Sequence, residues 1–343
     1  METDKLNAPT PPVGVIESLS AGFETVAGKI ILVLLPLLLD LFLWAGPRLT
    51  IRPAIASYYN NVYQPMVESL DTDGQALFSD LSDILANAAQ ELPPQYLPLF
   101  GMPSLLAGRE AAGLPFDYSP PLWQVQSTLG LVGVNLLSLA AGFLLGGVYI
   151  ALIASQVRYG SLRMRHLMLK MPINLFWLGL LAMGLPLLLL AAYTPFLVLA
   201  GVLMMVSSQV AVFVLWVGIL LALWVLMFLI FTIHGLFMND RNLFASLWDS
   251  IRLVQWNMSA TIFLILLVVL LNLSLTYIWS LAPTGSWLAL VGVAGHAFIT
   301  TGLVAATCVF FKDRYRYWQE MRAEIMAELE RQRAQSEQNL PRS

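Results

Sequence analysis

Residues 238 to 269 read MNDRNLFASLWDSIRLVQWNMSATIFLILLVV. Asn239 to Asn242 form a short polar turn. Leu243, Phe244, Leu247, Ile251 and Val254 then recur at helical spacing. That is the pattern of an amphipathic helix whose apolar face settles into the headgroup boundary. From 259 to 281 the chain carries no charge at all. A bilayer span takes roughly 20 apolar residues at a rise of about 1.5 Å each, so this run predicts a transmembrane helix led in by an in-plane helix.

The whole chain has the same character. Of 343 residues, 58% are hydrophobic and 11% charged, with a mean hydropathy of +0.73. Soluble domains carry about 25% charged residues, and a surface so poor in charge would not stay dissolved. The class is an all-α, polytopic membrane bundle. The formal net charge of −3 calls for no nucleic-acid partner. The one cysteine, Cys308, lies in an apolar run and can form no disulfide within the chain. Nearly thirty residues, with Glu2, Asp4, Glu17 and Glu24 among them, precede the first apolar run. That is unlike a secretory signal, and the run is read as a retained span.

Six spans are expected, at about 30–46, 128–154, 172–192, 205–237, 259–281 and 286–311. The apolar run from Pro195 to Phe237 is too long for one upright span and short for two. Either Pro195 to Val206 is a half-depth segment, or one long helix kinks near Ser207, Ser208 and Gln209. Basic residues set direction. Arg158, Arg163, Arg165 and Lys170 follow the second span, and Lys312, Arg314 and Arg316 follow the last. Both places are expected to be cytoplasmic, and four spans lie between them. Residues 47–126 are acidic and belong outside, so both termini are inside a bacterial inner membrane.

The expected organisation is an amphipathic helix and first span over 1–46, an extracytoplasmic segment over 47–126, five spans over 127–311 and a charged cytoplasmic helix over 312–343. In the outer segment, Leu77, Phe78, Leu81, Ile84, Leu85 and Ala88 make a helical stripe. The prolines that follow forbid a long helix and predict an irregular cap. Its exposed apolar groups make it the candidate contact for a membrane protein partner, alongside the lipid bilayer itself. Asp71, Asp73 and Gly74 open like a calcium loop, but the later ligands are missing.

The pairs Ser18-Leu19, Ser161-Leu162 and Ser246-Leu247 each stand a similar distance before an apolar run. Either an in-plane helix leading into a two-span hairpin is used three times, or loops returning to a membrane are amphipathic by position alone. The stretch 238–269 resembles the membrane domain attached to some bacterial glycerophosphoryl diester phosphodiesterases, and related stand-alone multi-span proteins. Leu247, Ser250 and Asn257 match that group's motif, while Ser246 stands where Ala is usual. The resemblance covers about 205–280. It implies a membrane fold; the catalytic domain of the longer relatives has no counterpart here.

Few residues invite chemistry. Asp40 sits inside LPLLLDLFLW, residues 35–44, and an ionised carboxylate at membrane depth needs an answering group. Arg48, His296 and Asn272 are the candidate partners. Asp40 is either a proton- or cation-binding group in a relay or a buried anchor of the first span. His296 lies among Gly292, Gly295 and Gly302, small residues that admit a close neighbour. Gly142 and Gly146 make a similar packing face in the second span. With only three histidines, far apart, no metal or cofactor set is present. No phosphate-cradling loop, nucleophile elbow or HExxH helix appears, which argues against an enzyme. The reading best supported is a non-enzymatic scaffold or accessory subunit. The alternative is a transporter or lipid-handling protein with Asp40, His296 and Asn272 along its path.

Overall fold

The computed structural model describes residues 11–70, 75, 83, 102–106, 113–283 and 285–338. The described residues are predominantly helical. Helix α1, Val15–Ala27, is amphipathic: Val15, Ser18, Leu19, Gly22 and Val26 are buried, while Glu17, Ser20 and Glu24 are exposed. A break leads to α2, Ile31–Ala45, with Pro36 inside it. Its 15 residues make about 22 Å of helix, less than the roughly 30 Å of a hydrocarbon core.

Two three-residue strands interrupt the all-helical expectation. β1, Arg48–Thr50, pairs in parallel with β2, Leu122–Gln124. They tie together the chain leaving α2 and the chain about to re-enter the apolar region. Between them α3, Arg52–Tyr58, passes through a π-helical turn, Tyr59–Tyr63, into α4, Gln64–Glu68. The stripe expected over Leu77 to Ala88 and the Asp71-Asp73-Gly74 sequence lie outside the described residues.

The long helices follow. α5 is Thr128–Tyr159, α6 Met164–Met204 and α7 Ser208–Leu229. A short α8, Thr232–Asn239, and the amphipathic α9, Leu243–Trp256, lead to α10, Met258–Ser280. α11 runs unbroken over 51 residues, Leu288–Gln338, so the last span continues as the charged tail helix. Among the described residues five helices are long and apolar enough to cross a bilayer, and the bent pair α1–α2 makes a sixth when counted as one span.

The ambiguous run from Pro195 resolves in a third way. Pro172, Pro186 and Pro195 all lie within α6, which continues to Met204. The chain reverses at 205–207, and α7 runs back along α6: Tyr193 Oη donates to the Leu215 carbonyl at 3.3 Å, and Gly218 lies against Tyr193 and Phe196. Half-depth segment and single kinked helix are both corrected. Proline is tolerated because a membrane helix can repair the lost bond with neighbouring groups.

The proposed third amphipathic helix is not separate. Gly160, at φ +67°, caps α5, and α6 starts at Met164, so Ser161 and Leu162 are in the turn. Ser161 is exposed, whereas Ser18 and Ser246 are fully buried. α1 and α9 do share a register: Val15, Ser18, Gly22 and Val26 correspond to Leu243, Ser246, Ser250 and Val254, and all eight are buried.

The chain forms two compact units. One comprises 11–25, 151–268 and 303–338 of the described residues, the other 26–150 and 269–302. In the first, α1 rests on the α11 backbone at Ala306, and Phe231 stacks on Phe310. In the second, Trp279 of α10 lies across Gly295 of α11.

Candidate functional site

Asp40 is fully buried on α2. Its carboxylate is answered by residues 104–106 of the outer segment. Leu105 N donates to Oδ2 at 2.9 Å and Leu106 N to Oδ1 at 3.2 Å. Ser104 Oγ donates to Oδ1 as well. A carboxylate is an acceptor with about four lone-pair sites, so three donors nearly saturate it. Two successive backbone amides converging on an anion form a small nest, which carries partial positive charge without a cationic side chain. Met102 and Leu105 are themselves buried, so residues 104–106 are held both by burial and by their hydrogen bonds to Asp40.

α11 completes the surroundings. Gly292 brings its backbone within reach of the Leu105 side chain, and His296, one turn further along α11, lies in the neighbourhood of Asp40. His296 Nδ1 lies 3.4 Å from Thr276 Oγ1 of α10. One turn on, Thr301 accepts from Tyr149 Oη of α5 at 3.0 Å and donates to the Ala297 carbonyl at 2.6 Å. Polar groups in these spans therefore bond α5 and α10 each to α11.

The expected trio is only partly assembled. Asp40 and His296 come together. Asn272 is half-buried on α10 and gives Asp40 no hydrogen bond, and the donors are Ser104, Leu105 and Leu106 in place of Arg48. Those donors were missed because two of the three are backbone amides, which have no residue identity to read. The available signal was Ser104, a hydroxyl between Pro103 and two leucines.

Gly142 and Gly146 are both buried on α5. Leu247 is half-buried on α9. Ser250 Oγ donates to the Phe228 carbonyl at 2.7 Å and accepts from Phe231 N at 3.1 Å. Asn257 joins α9 to α10: its amide and Nδ2 both donate to the Leu253 carbonyl at 3.1 Å, and its own carbonyl accepts from Thr261 N at 2.8 Å. These motif positions hold helix ends. Among the described residues no group of three or more His, Cys, Asp and Glu side chains could hold a metal ion.

Compared with known proteins, the chain matches no protein-family model, no curated protein and no solved structure.

Proposed function

We propose that this integral membrane protein is a non-enzymatic scaffold or accessory subunit, whose outer segment meets a membrane protein partner. The carrying observation is the use made of Asp40. Its carboxylate is taken up by the chain's own residues 104–106, which anchors the outer segment at a fixed place. Beyond that anchor, Phe116, Tyr118 and Trp123 are exposed, the residue types enriched in protein contacts and at the membrane edge. The resemblance of 205–280 to a membrane domain found beside phosphodiesterases fits a supporting role. The basic residues Arg158, Arg163, Arg165 and Lys170 support a reading with both termini on the cytoplasmic side of a bacterial inner membrane.

The test is purification in mild detergent with mass spectrometry of proteins and lipids together. A stoichiometric membrane protein is expected with the parent chain and is lost from Trp123→Ala. A protein that purifies alone in both forms overturns the reading.

A second reading, lipid handling, is favoured by one observation. An open groove of about 530 Å³, lined by Leu181 and Leu185 of α6, Leu223 and Leu226 of α7, and Ile262 and Leu266 of α10, presents apolar side chains throughout. It suits an acyl chain, and a single lipid species retained stoichiometrically in the same experiment would support it.

A further inference from the structure

Where α5 and α11 leave their apolar runs, four cationic side chains converge. Arg158 ends α5, Arg241 lies in the turn between α8 and α9, and Lys312 and Arg316 lie on α11. They line a pocket of about 450 Å³ with Asn239 and Tyr315 at its wall, and no acidic residue is among its lining. Arginine at the exit of a span is common. What is unusual is the concentration of four cations on one cavity and the way each is held.

Arg158 Nη1 is 2.7 Å from Asp240 Oδ2. Arg241 Nε is 3.5 Å from Asp249 Oδ2, and its Nη2 donates to Tyr315 Oη at 3.0 Å. Lys312 Nζ donates to the Val157 carbonyl at 2.7 Å. Each of these three groups spends one or two donors on being positioned. A guanidinium carries five N–H donors and an ammonium three, so donors remain for an anion. Arg316 is the loosest, with Glu320 at 3.9 Å and 54% of its side chain exposed.

Depth decides the kind of anion. Phe310 and Phe311, both fully buried, immediately precede Lys312, and Tyr315 and Trp318 follow within two turns. The pocket thus opens where an apolar helix becomes charged and aromatic, the level of lipid headgroups. The same basic ends mark this side as cytoplasmic, where the leaflet is anionic and attracts juxtamembrane cations. Planar guanidinium forks match phosphate oxygens in pairs.

We infer that the pocket of Arg158, Arg241, Lys312 and Arg316 binds a phosphate group, supplied by an anionic lipid headgroup. The inference holds whichever functional reading stands.

The experiment uses the full chain in mild detergent and native mass spectrometry, with phosphatidylglycerol, phosphatidylcholine and inorganic phosphate as probes. Arg316→Gln removes an exposed cation whose ion pair is long, and Arg241→Gln is the second variant. Arg331→Gln, on the exposed tail, is the control. Phosphatidylglycerol should be retained in preference to phosphatidylcholine. Arg316→Gln should weaken it about five-fold, the effect of one cation near an anionic surface, and Arg331→Gln should not. If millimolar inorganic phosphate fails to displace the lipid, the headgroup is the source. If it displaces the lipid fully, the phosphate chemistry stands and the free anion is the ligand. Equal retention of the two lipids, or equal effects of Arg316→Gln and Arg331→Gln, overturns the proposal.

Discussion

Ser250 closes the break that ends at Phe231. Its hydroxyl donates to the Phe228 carbonyl at the end of α7 and accepts from the Phe231 amide at the start of α8. A helix break leaves backbone groups without partners, and in a buried place each must be satisfied. One fully buried side chain serves both. The serine is thereby given a physical role, and Ser250→Ala follows as a test. Leaving a buried donor or acceptor unmet costs about 1–3 kcal/mol, so a loss of about 2 kcal/mol is expected. The readout is the thermal midpoint in detergent, and an unchanged midpoint would show that the break finds its partners elsewhere.

Gly22 sets the seat of α1. A Cβ there would stand 2.5 Å from the Ala306 nitrogen and 2.6 Å from its Cα, both backbone atoms that cannot step aside. Gly22→Val should therefore lift α1 from α11. A Ser18→Cys reporter, fully buried in the parent, should become reactive to a soluble thiol reagent in the Gly22→Val background. Continued protection would mean that α11 yields instead.

The sequence read well wherever a side-chain pattern was the cause. The exit of α11 into a charged helix follows from hydropathy and spacing alone, whereas the buried faces of α1 and α9 include Ser18, Gly22, Ser246 and Ser250, and Phe244 of the expected stripe is exposed. It read poorly where backbone was the cause. The reversal at 205–207 lies between two apolar runs; Ser207, Ser208 and Gln209 mark an interruption but not whether the chain kinks or turns back, and Pro195 lies inside α6. Asp40 was recognised as needing an answer, but the answer came largely from main-chain amides 65 and 66 residues away.

Asp40→Ala tests whether the acid anchors the outer segment. Removing the carboxylate leaves the Leu105 and Leu106 amides without their acceptor. A Leu105→Cys reporter, at a position 5% exposed in the parent, should be protected alone and labelled when combined with Asp40→Ala. The native Cys308 is buried and gives a low background. Protection in both chains would remove the anchor role and return Asp40 to the candidates for ion or proton binding.

Asp249 gives a pH dependence of defined sign. Burial raises its carboxyl pKa above the ordinary value, and the neighbouring Arg241 only partly offsets this. A carboxyl raised in the folded state binds its proton more tightly there than when unfolded. Its stabilising contribution is complete below about pH 4, the unfolded value, and is lost as pH rises through the raised folded value. Parent protein should therefore gain stability relative to Asp249→Asn as pH falls through that window. Parallel melting curves across it would contradict the assignment.

Asp240 separates backbone from charge. It caps α8 at φ 51° and ψ 35°, the left-handed region, and is the one non-glycine residue there among the described residues. Its carboxylate also holds Arg158 at 2.7 Å, with His166 Nε2 at 3.5 Å. Asp240→Gly relieves the backbone and loses the ion pair. Asp240→Asn keeps a side chain that tolerates this conformation and loses the charge. Asp240→Ala gives up both, so it should be the least stable of the three, by about 1 kcal/mol against Gly. A half-exposed ion pair contributes about 1 kcal/mol or less, so the Gly and Asn variants should melt close to the parent in detergent. Should Ala and Gly melt together, the turn does not need a left-handed residue, and the hold on Arg158 is what Asp240 supplies.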